Sequence, residues 1–201
     1  DFCLSRGLGD VYKRQAYTPW PYKAIREGAE DFGGECREYH NQLVGEIVPY
    51  IRKHYNVYAE SMAYGGYSLG GLAAIYSLYF DETFSTIFSV CGSFWYPGFA
   101  DYVVNNNVKN RNAAVYLLNG EQEGVNHGNL LEQAPVKAHM VHEHLMSVMN
   151  AVSIFDEYGH HENKPERINR LLSVLTGMEG SYENGGKAVS YTHLTLPTIL
   201  L

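Results

Sequence analysis

The sequence predicts an α/β domain: a parallel sheet with helices on both faces. Three observations carry that prediction. Short apolar runs bounded by turn residues alternate with longer segments of helical spacing. The runs are continuous rather than strictly alternating, which marks strands buried on both faces. A glycine-rich stretch, AYGGYSLGGLAAIYSLY at Ala63–Tyr79, joins one such strand to one such helix. The 201 residues suit one domain, and 45% hydrophobic with 18% charged residues is ordinary globular composition.

The elements follow in order. AYTPWPYKAIREGAEDFGGE is rich in Pro, Gly and aromatics and predicts loop. Cys36–Tyr55 has helical spacing, with Tyr39, Leu43, Ile47 and Ile51 forming one apolar face, and Pro49 should bend it or force an irregular turn. NVYAESMAYGGYS predicts a strand leading to Ser68. Leu69–Phe80 predicts a helix that packs through Leu72, Ile75, Leu78 and Tyr79. Ile87–Ser93, Ala113–Asn119 and Ala151–Phe155 predict three more strands. Leu130–Met149 predicts a helix, and Lys164–Thr176 another, with Ile168, Leu171, Leu172 and Leu175 inward and Gly177 as its stop.

Charge and composition exclude several function classes. A net charge of −7 without a basic cluster argues against nucleic-acid binding. No apolar run is long enough to cross a bilayer as a helix. Cys3, Cys36 and Cys91 have no metal-type spacing and no disulfide pattern, so buried free thiols are expected. His139, His142 and His144 in HMVHEH lack the H-E-x-x-H order and predict a wet helix face rather than a zinc site. No metal and no cofactor are expected.

The two ends encode each other. Val11–Gln15 back-translates as GTG TAT AAG AGA CAG. The opposite strand, read from its third base, encodes Val-Ser-Tyr-Thr, the residues at Val189–Thr192. Unrelated protein termini have no reason to do this, and both resemble translated sequencing adaptors. The expected organisation is therefore adaptor-derived residues 1–15 and 188–201 flanking a domain over 16–187, with both ends loosely attached.

Gly66-Tyr67-Ser68-Leu69-Gly70 is a G-x-S-x-G between strand and helix. A sharp turn there exposes the Ser68 hydroxyl and aims the Leu69 N–H at a developing oxyanion. A serine nucleophile needs a base, and the base needs an orienting carboxylate. Glu121 and Glu123 follow one predicted strand, and His160 and His161 follow the last, in the order Ser, acid, His. Phe94, Trp95 and Tyr96 follow another strand at the same edge, where Trp95 and Tyr96 could line a substrate pocket; Trp20 in TPWP is similarly ambiguous between pocket and core.

These stretches resemble the esterase branch of the α/β-hydrolases, the branch of the ferric-enterobactin-type carboxylesterases. YTPWP, DFGGECREYHNQLVGEIVPYI, GGYSLGGLAAIYSLY, CGSFWYP, VYLLNGEQE and YGHHENKPERI carry the resemblance, and the elbow and Gly-His with Pro-x-Arg are its more specific parts. It implies an α/β-hydrolase fold and a serine hydrolase of carboxylic esters acting through an acyl-enzyme. Ser68 is the implied nucleophile and His160 the base. Glu123 matches the acid position better than Glu121. The substrate is a small-molecule ester. The resemblance also implies that the family's early strands and second oxyanion donor lie upstream of this sequence, so the chain as written is expected to be a poor enzyme. A thioesterase, a short-peptide hydrolase or a silent binding protein with a remnant elbow are the competing readings. The residues assign no acyl group, alcohol, compartment or oligomeric state.

Overall fold

The computed structural model describes residues 12–55 and 62–176. A small antiparallel pair comes first, β1 (Pro21–Tyr22) with β2 (Phe32–Gly33), inside the segment predicted as loop. Two short helices follow, α1 (Cys36–Gln42) and α2 (Val48–His54). The main sheet then alternates strand and helix: β3 (Ala63–Tyr67), α3 (Leu69–Ser77), β4 (Thr86–Val90), α4 (Phe99–Asn105), β5 (Ala114–Gly120), α5 (Ala134–Val148), β6 (Ala151–Asp156) and α6 (Lys164–Thr176). The four strands are parallel and lie in the order β3-β4-β5-β6, in register Gly65 to Phe88, Phe88 to Tyr116 and Tyr116 to Val152.

Side chains on a strand point alternately to opposite faces, and the two cores follow from that. Ile87, Val115 and Leu117 join a large cluster with Leu72 and Ile75 of α3, Phe99 and Val103 of α4, and Val141 and Leu145 of α5. Val90, Tyr116, Leu118 and Ile154, on the opposite face, join a second cluster with Leu171 of α6. Each fully buried leucine or isoleucine contributes about 2 kcal/mol by leaving water. The sheet is therefore covered on both faces, as the continuous apolar runs predict.

The helical segment over 36–55 carries a π turn at Leu43–Ile47, in line with the irregular turn expected of Pro49, but several other expectations need correction. Pro49 has no N–H to donate back along the helix, and the wider turn lets the chain pass it. The extra residue in that turn rotates the apolar stripe. Cys36, His40 and Val48 face inward, while Ile47, predicted as core, is 44% exposed. Helix α4 was not predicted; Gly98 at φ 77 starts it, and Phe99, Ala100 and Val103 form its buried face. In α6, Leu171 is buried but Ile168 is 40% exposed, because the inward face of that first turn belongs to Arg167. The side chains of Leu172 and Leu175 lie outside the described residues, as do the residues before Met62 in the predicted strand.

The N-terminal segment is also not wholly loose. Residues 12–16 form a helical turn. The Arg14 guanidinium lies 5.6 Å from the centre of the Phe32 ring, Gln15 Nε2 donates to the Asp31 carbonyl, and the Glu35 N–H donates to the Gln15 carbonyl at 3.0 Å. An aromatic face and open backbone groups at residues 30–35 hold this turn in place. Residues 1–11 and 188–201 lie outside the described part.

Candidate active site

Ser68 sits between the end of β3 and the first residue of α3, with φ 60 and ψ −119. That backbone region is sparsely populated for a residue with a Cβ and costs about 1–3 kcal/mol. The surrounding hydrogen bonds hold it: the Ser68 N–H donates to Val90 O at 2.9 Å, and its carbonyl accepts from Ser93 N and Leu72 N. Glycine is required close by, but not symmetrically. A Cβ on Gly66 would come within 2.7 Å of the Gly70 backbone, and one on Gly71 would strike Ser89 Oγ. A Cβ on Gly70 would meet open space. The second glycine of the motif thus matters as the surface that Gly66 packs on.

The C-terminal ends of β3, β5 and β6 bring three predicted residues together. His160 Nε2 lies 3.0 Å from Ser68 Oγ. His160 Nδ1 lies 2.7 Å from Glu123 Oε2. Glu123 is 2% exposed, and its other oxygen accepts from the Gly120 N–H at 2.7 Å and from Asn119 Nδ2 at 3.4 Å. The loops carrying acid and histidine are tied to each other, since Glu121 N donates to Asp156 O and Gln122 N to Tyr158 O. Leu69 opens α3, where the first N–H groups have no acceptor within the helix. Ser93 Oγ, which the sequence did not single out, lies 3.1 Å from Ser68 Oγ.

Glu121 goes elsewhere. Its side chain is 45% exposed and meets His139 Nε2 at 3.1 Å, and the His139 ring stacks on Phe155. His161 is exposed at the rim; partial desolvation, then the adjacent His160, lower its pKa.

Two expectations about aromatic and histidine residues are overturned. Tyr96 does not line an open pocket: it is 1% exposed, its hydroxyl donates to Trp20 O at 2.6 Å, and its ring packs against Trp20 and Phe32. A phenol with its polar end satisfied by backbone is at home in a core. Trp95 is partly exposed and packs edge-on to Phe32, Phe94 is fully buried, and Trp20 is held by Nε1–H donation to Pro97 O. His142 is not on a wet face either. It is fully buried between Ser153 and Asn119, because it shares the inward stripe of α5 with Ala138, Val141 and Leu145. Burial, and secondarily His139, lower its pKa to about 3.

Arg167 is a further buried group that the Pro-x-Arg match marks in the sequence. Its guanidinium pairs with both oxygens of Asp156 and donates to Gly159 O, Tyr158 O and Cys91 Sγ. Burial pushes the Cys91 thiol pKa well up. Ligand atoms of Cys91, Glu123 and His160 lie within 4.8 Å of one another. A cation there would face the Arg167 charge and would have to break the His160–Glu123 contact.

This combination of parallel sheet, strand–helix elbow and site at the strand ends defines the α/β-hydrolase fold. The chain matches the family described as "Putative esterase" over residues 8–164, and it belongs to that family. It is 31% identical to the uncharacterized protein YbbA of Bacillus subtilis (strain 168), over 69% of this chain and 57% of that one. The chain thus spans less than two thirds of that relative's length. Among solved structures it resembles the siderophore hydrolase EstA from Aspergillus nidulans, with TM-score 0.62, 13% identity, and coverage of 83% of this chain and 67% of that one. It resembles an IroE-like serine hydrolase from Shewanella oneidensis with TM-score 0.62 and 15% identity, over 79% and 54% of the two chains. The BES protein from Bacillus cereus gives TM-score 0.57 and 18% identity, over 79% and 63%. At these identities the likeness shows the fold.

Proposed function

We propose that this chain carries the active site of a serine carboxylesterase in which Ser68, His160 and Glu123 are the catalytic triad. The observation that carries the reading is the unbroken line of contacts from Ser68 Oγ through His160 to a buried Glu123, at 3.0 and 2.7 Å. In this reading Ser68 Oγ attacks the ester carbonyl carbon and its proton passes to His160 Nε2. The negative charge gathers on the carbonyl oxygen, where the Leu69 N–H donates to it. Glu123 accepts from His160 Nδ1–H, which sets the tautomer and stabilises the imidazolium. The tetrahedral intermediate collapses, the C–O bond to the alcohol breaks, and His160 returns the proton to the leaving oxygen. Water, deprotonated by His160, then attacks the acyl-enzyme; the acid departs and Ser68 regains its proton.

Family membership and the names of the solved relatives, a siderophore hydrolase and a serine hydrolase among them, support a carboxylic ester as substrate. Trp95, partly exposed and two residues past Ser93, is the proposed substrate-facing aromatic. The complementary codons of the two ends support an adaptor origin for residues 1–15 and 188–201, leaving 16–187 as the hydrolase domain; sequencing the parent locus across both junctions tests this, and the adaptor should be absent there.

The test of function is covalent labelling by a fluorophosphonate probe, with p-nitrophenyl butyrate hydrolysis beside it. Labelling at Ser68 that Ser68→Ala abolishes is the expected outcome. An unlabelled, folded chain that still binds small esters would favour a silent binding protein instead.

A further inference from the structure

The site does not end at Glu123. Behind it runs a second line of polar side chains that the triad does not include. Ser153 Oγ on β6 lies 2.8 Å from His142 Nδ1 on α5. His142 Nε2 lies 3.0 Å from Asn119 Oδ1 at the end of β5. Asn119 Nδ2 reaches Glu123 Oε1 at 3.4 Å and Gly92 O at 3.3 Å. His142 is fully buried, and Asn119 is 1% exposed.

The direction of every bond in this line follows from its ends. Gly92 O and the Glu123 carboxylate can only accept, so the Asn119 amide must turn its NH₂ toward them. Its Oδ1 is then left facing His142, and an oxygen can only accept there. His142 Nε2 must therefore carry the proton. His142 Nδ1, left bare, accepts from the Ser153 hydroxyl. All donors point one way, toward the carboxylate; from the other side His160 Nδ1–H donates to it, and Ser68 O–H donates to His160 Nε2. Chains of aligned hydrogen bonds polarise one another in a low-dielectric interior.

We infer that Asn119 and His142 are positioning residues of the active site: His142, which donates from Nε2 to the Asn119 oxygen while Ser153 donates to its Nδ1, anchors the Asn119 amide, and Asn119 aims the Glu123 carboxylate at His160. Neither touches substrate. The inference rests on the proposed triad for its catalytic consequence, but the line of contacts stands apart from it. Charged or titratable groups also face this region: Arg167, Cys91 and Tyr67 near Glu123, His161 beyond His160, and His139 beside His142. None of them supplies the Asn119 orientation.

Three variants test it: Asn119→Leu, His142→Leu and His142→Gln. Glutamine carries an N–H at about the place of Nε2 and can still donate to Asn119. Two readouts are taken on the folded chain: the rate of fluorophosphonate labelling, and the far-downfield proton resonance of His160 Nδ1–H. The two leucine variants should slow labelling by about tenfold or more, the scale of losing one hydrogen bond to a charged group, and should shift or broaden the resonance. His142→Gln should restore both, whatever its melting temperature. Wild-type rate and an unmoved resonance in His142→Leu would overturn the inference. So would equal losses in His142→Leu and His142→Gln that merely track lowered melting temperature. If the wild-type chain is not labelled at all, the esterase reading fails, and the resonance alone still decides whether His142 positions the pair.

Discussion

Glu121 and Glu123 stand two residues apart with opposite surroundings. Glu123 is enclosed by the Gly120 N–H, Asn119 and His160, whereas Glu121 forms a half-exposed pair with His139. Glu123→Gln should therefore lower ester hydrolysis by roughly three to four orders of magnitude, the scale seen when a triad acid loses its charge. Glu121→Gln should stay within about twofold, since an exposed ion pair contributes little. Steady-state rates of the two variants side by side check this; a large loss confined to Glu121→Gln would remove Glu123 from the triad. At Ser68 itself the positive φ makes a second prediction. Ser68→Gly and Ser68→Ala should both abolish labelling, but only glycine tolerates φ 60 without a Cβ penalty. In chemical denaturation the glycine variant should be the more stable of the two.

The elbow and the histidine loop are held by their neighbouring elements. Gly71 of α3 lies against Ser89 of β4 and the Gly66 carbonyl, which is how α3 comes close enough to the sheet to present Ser68. Gly71→Ala should cost about 1–3 kcal/mol by overpacking, read as a lower denaturation midpoint. Gly70→Ala, with open space around its Cβ, should cost far less. The loop from β6 to α6 depends on Arg167, whose four contacts to Asp156, Tyr158 and Gly159 hold the chain just before His160, while a fifth reaches Cys91. Arg167→Met leaves the Asp156 carboxylate nearly buried and unpaired, which should cost about 3–5 kcal/mol and slow labelling. Arg167→Lys should not rescue it, because a single ammonium cannot match the guanidinium fork. Melting curves and labelling rates of both variants test this.

The molecule's stability is linked to pH through His142. Its folded-state pKa is about 3, below the ordinary 6.5, because burial penalises the charged ring. Above about 6.5 neither folded nor unfolded chain protonates it, and its contribution is fully present. As pH falls below 6.5 the unfolded chain takes up a proton that the folded chain refuses, so stability is lost progressively toward about 3. One proton gives at most about 1.4 kcal/mol per pH unit. Between about pH 6.5 and about 5, above most ordinary carboxylate titration, the wild-type denaturation midpoint should fall with pH, and His142→Leu should flatten that fall. Equal slopes in the two proteins would count against a buried neutral His142.

Much of this architecture is legible in the chain. The parallel sheet follows from continuous apolar runs between helical segments, because strands covered on both faces need no polar alternation. The proposed roles of Ser68 and His160 are legible because such chemistry requires local features, a tight Gly-Tyr-Ser-Leu-Gly turn and a histidine just past a strand end. The structure decided what depends on distance across the fold. The resemblance favours Glu123 over Glu121, but the contact of Glu123 with His160 needs the β6 loop to come over the β5 loop, and no spacing of two residues encodes that. His142 and Tyr96 read as surface and pocket in sequence because their partners, Asn119 and Trp20, lie 23 and 76 residues away. A helix face is polar or buried according to what packs on it, so the line behind Glu123 exists only once α5 lies across β5 and β6.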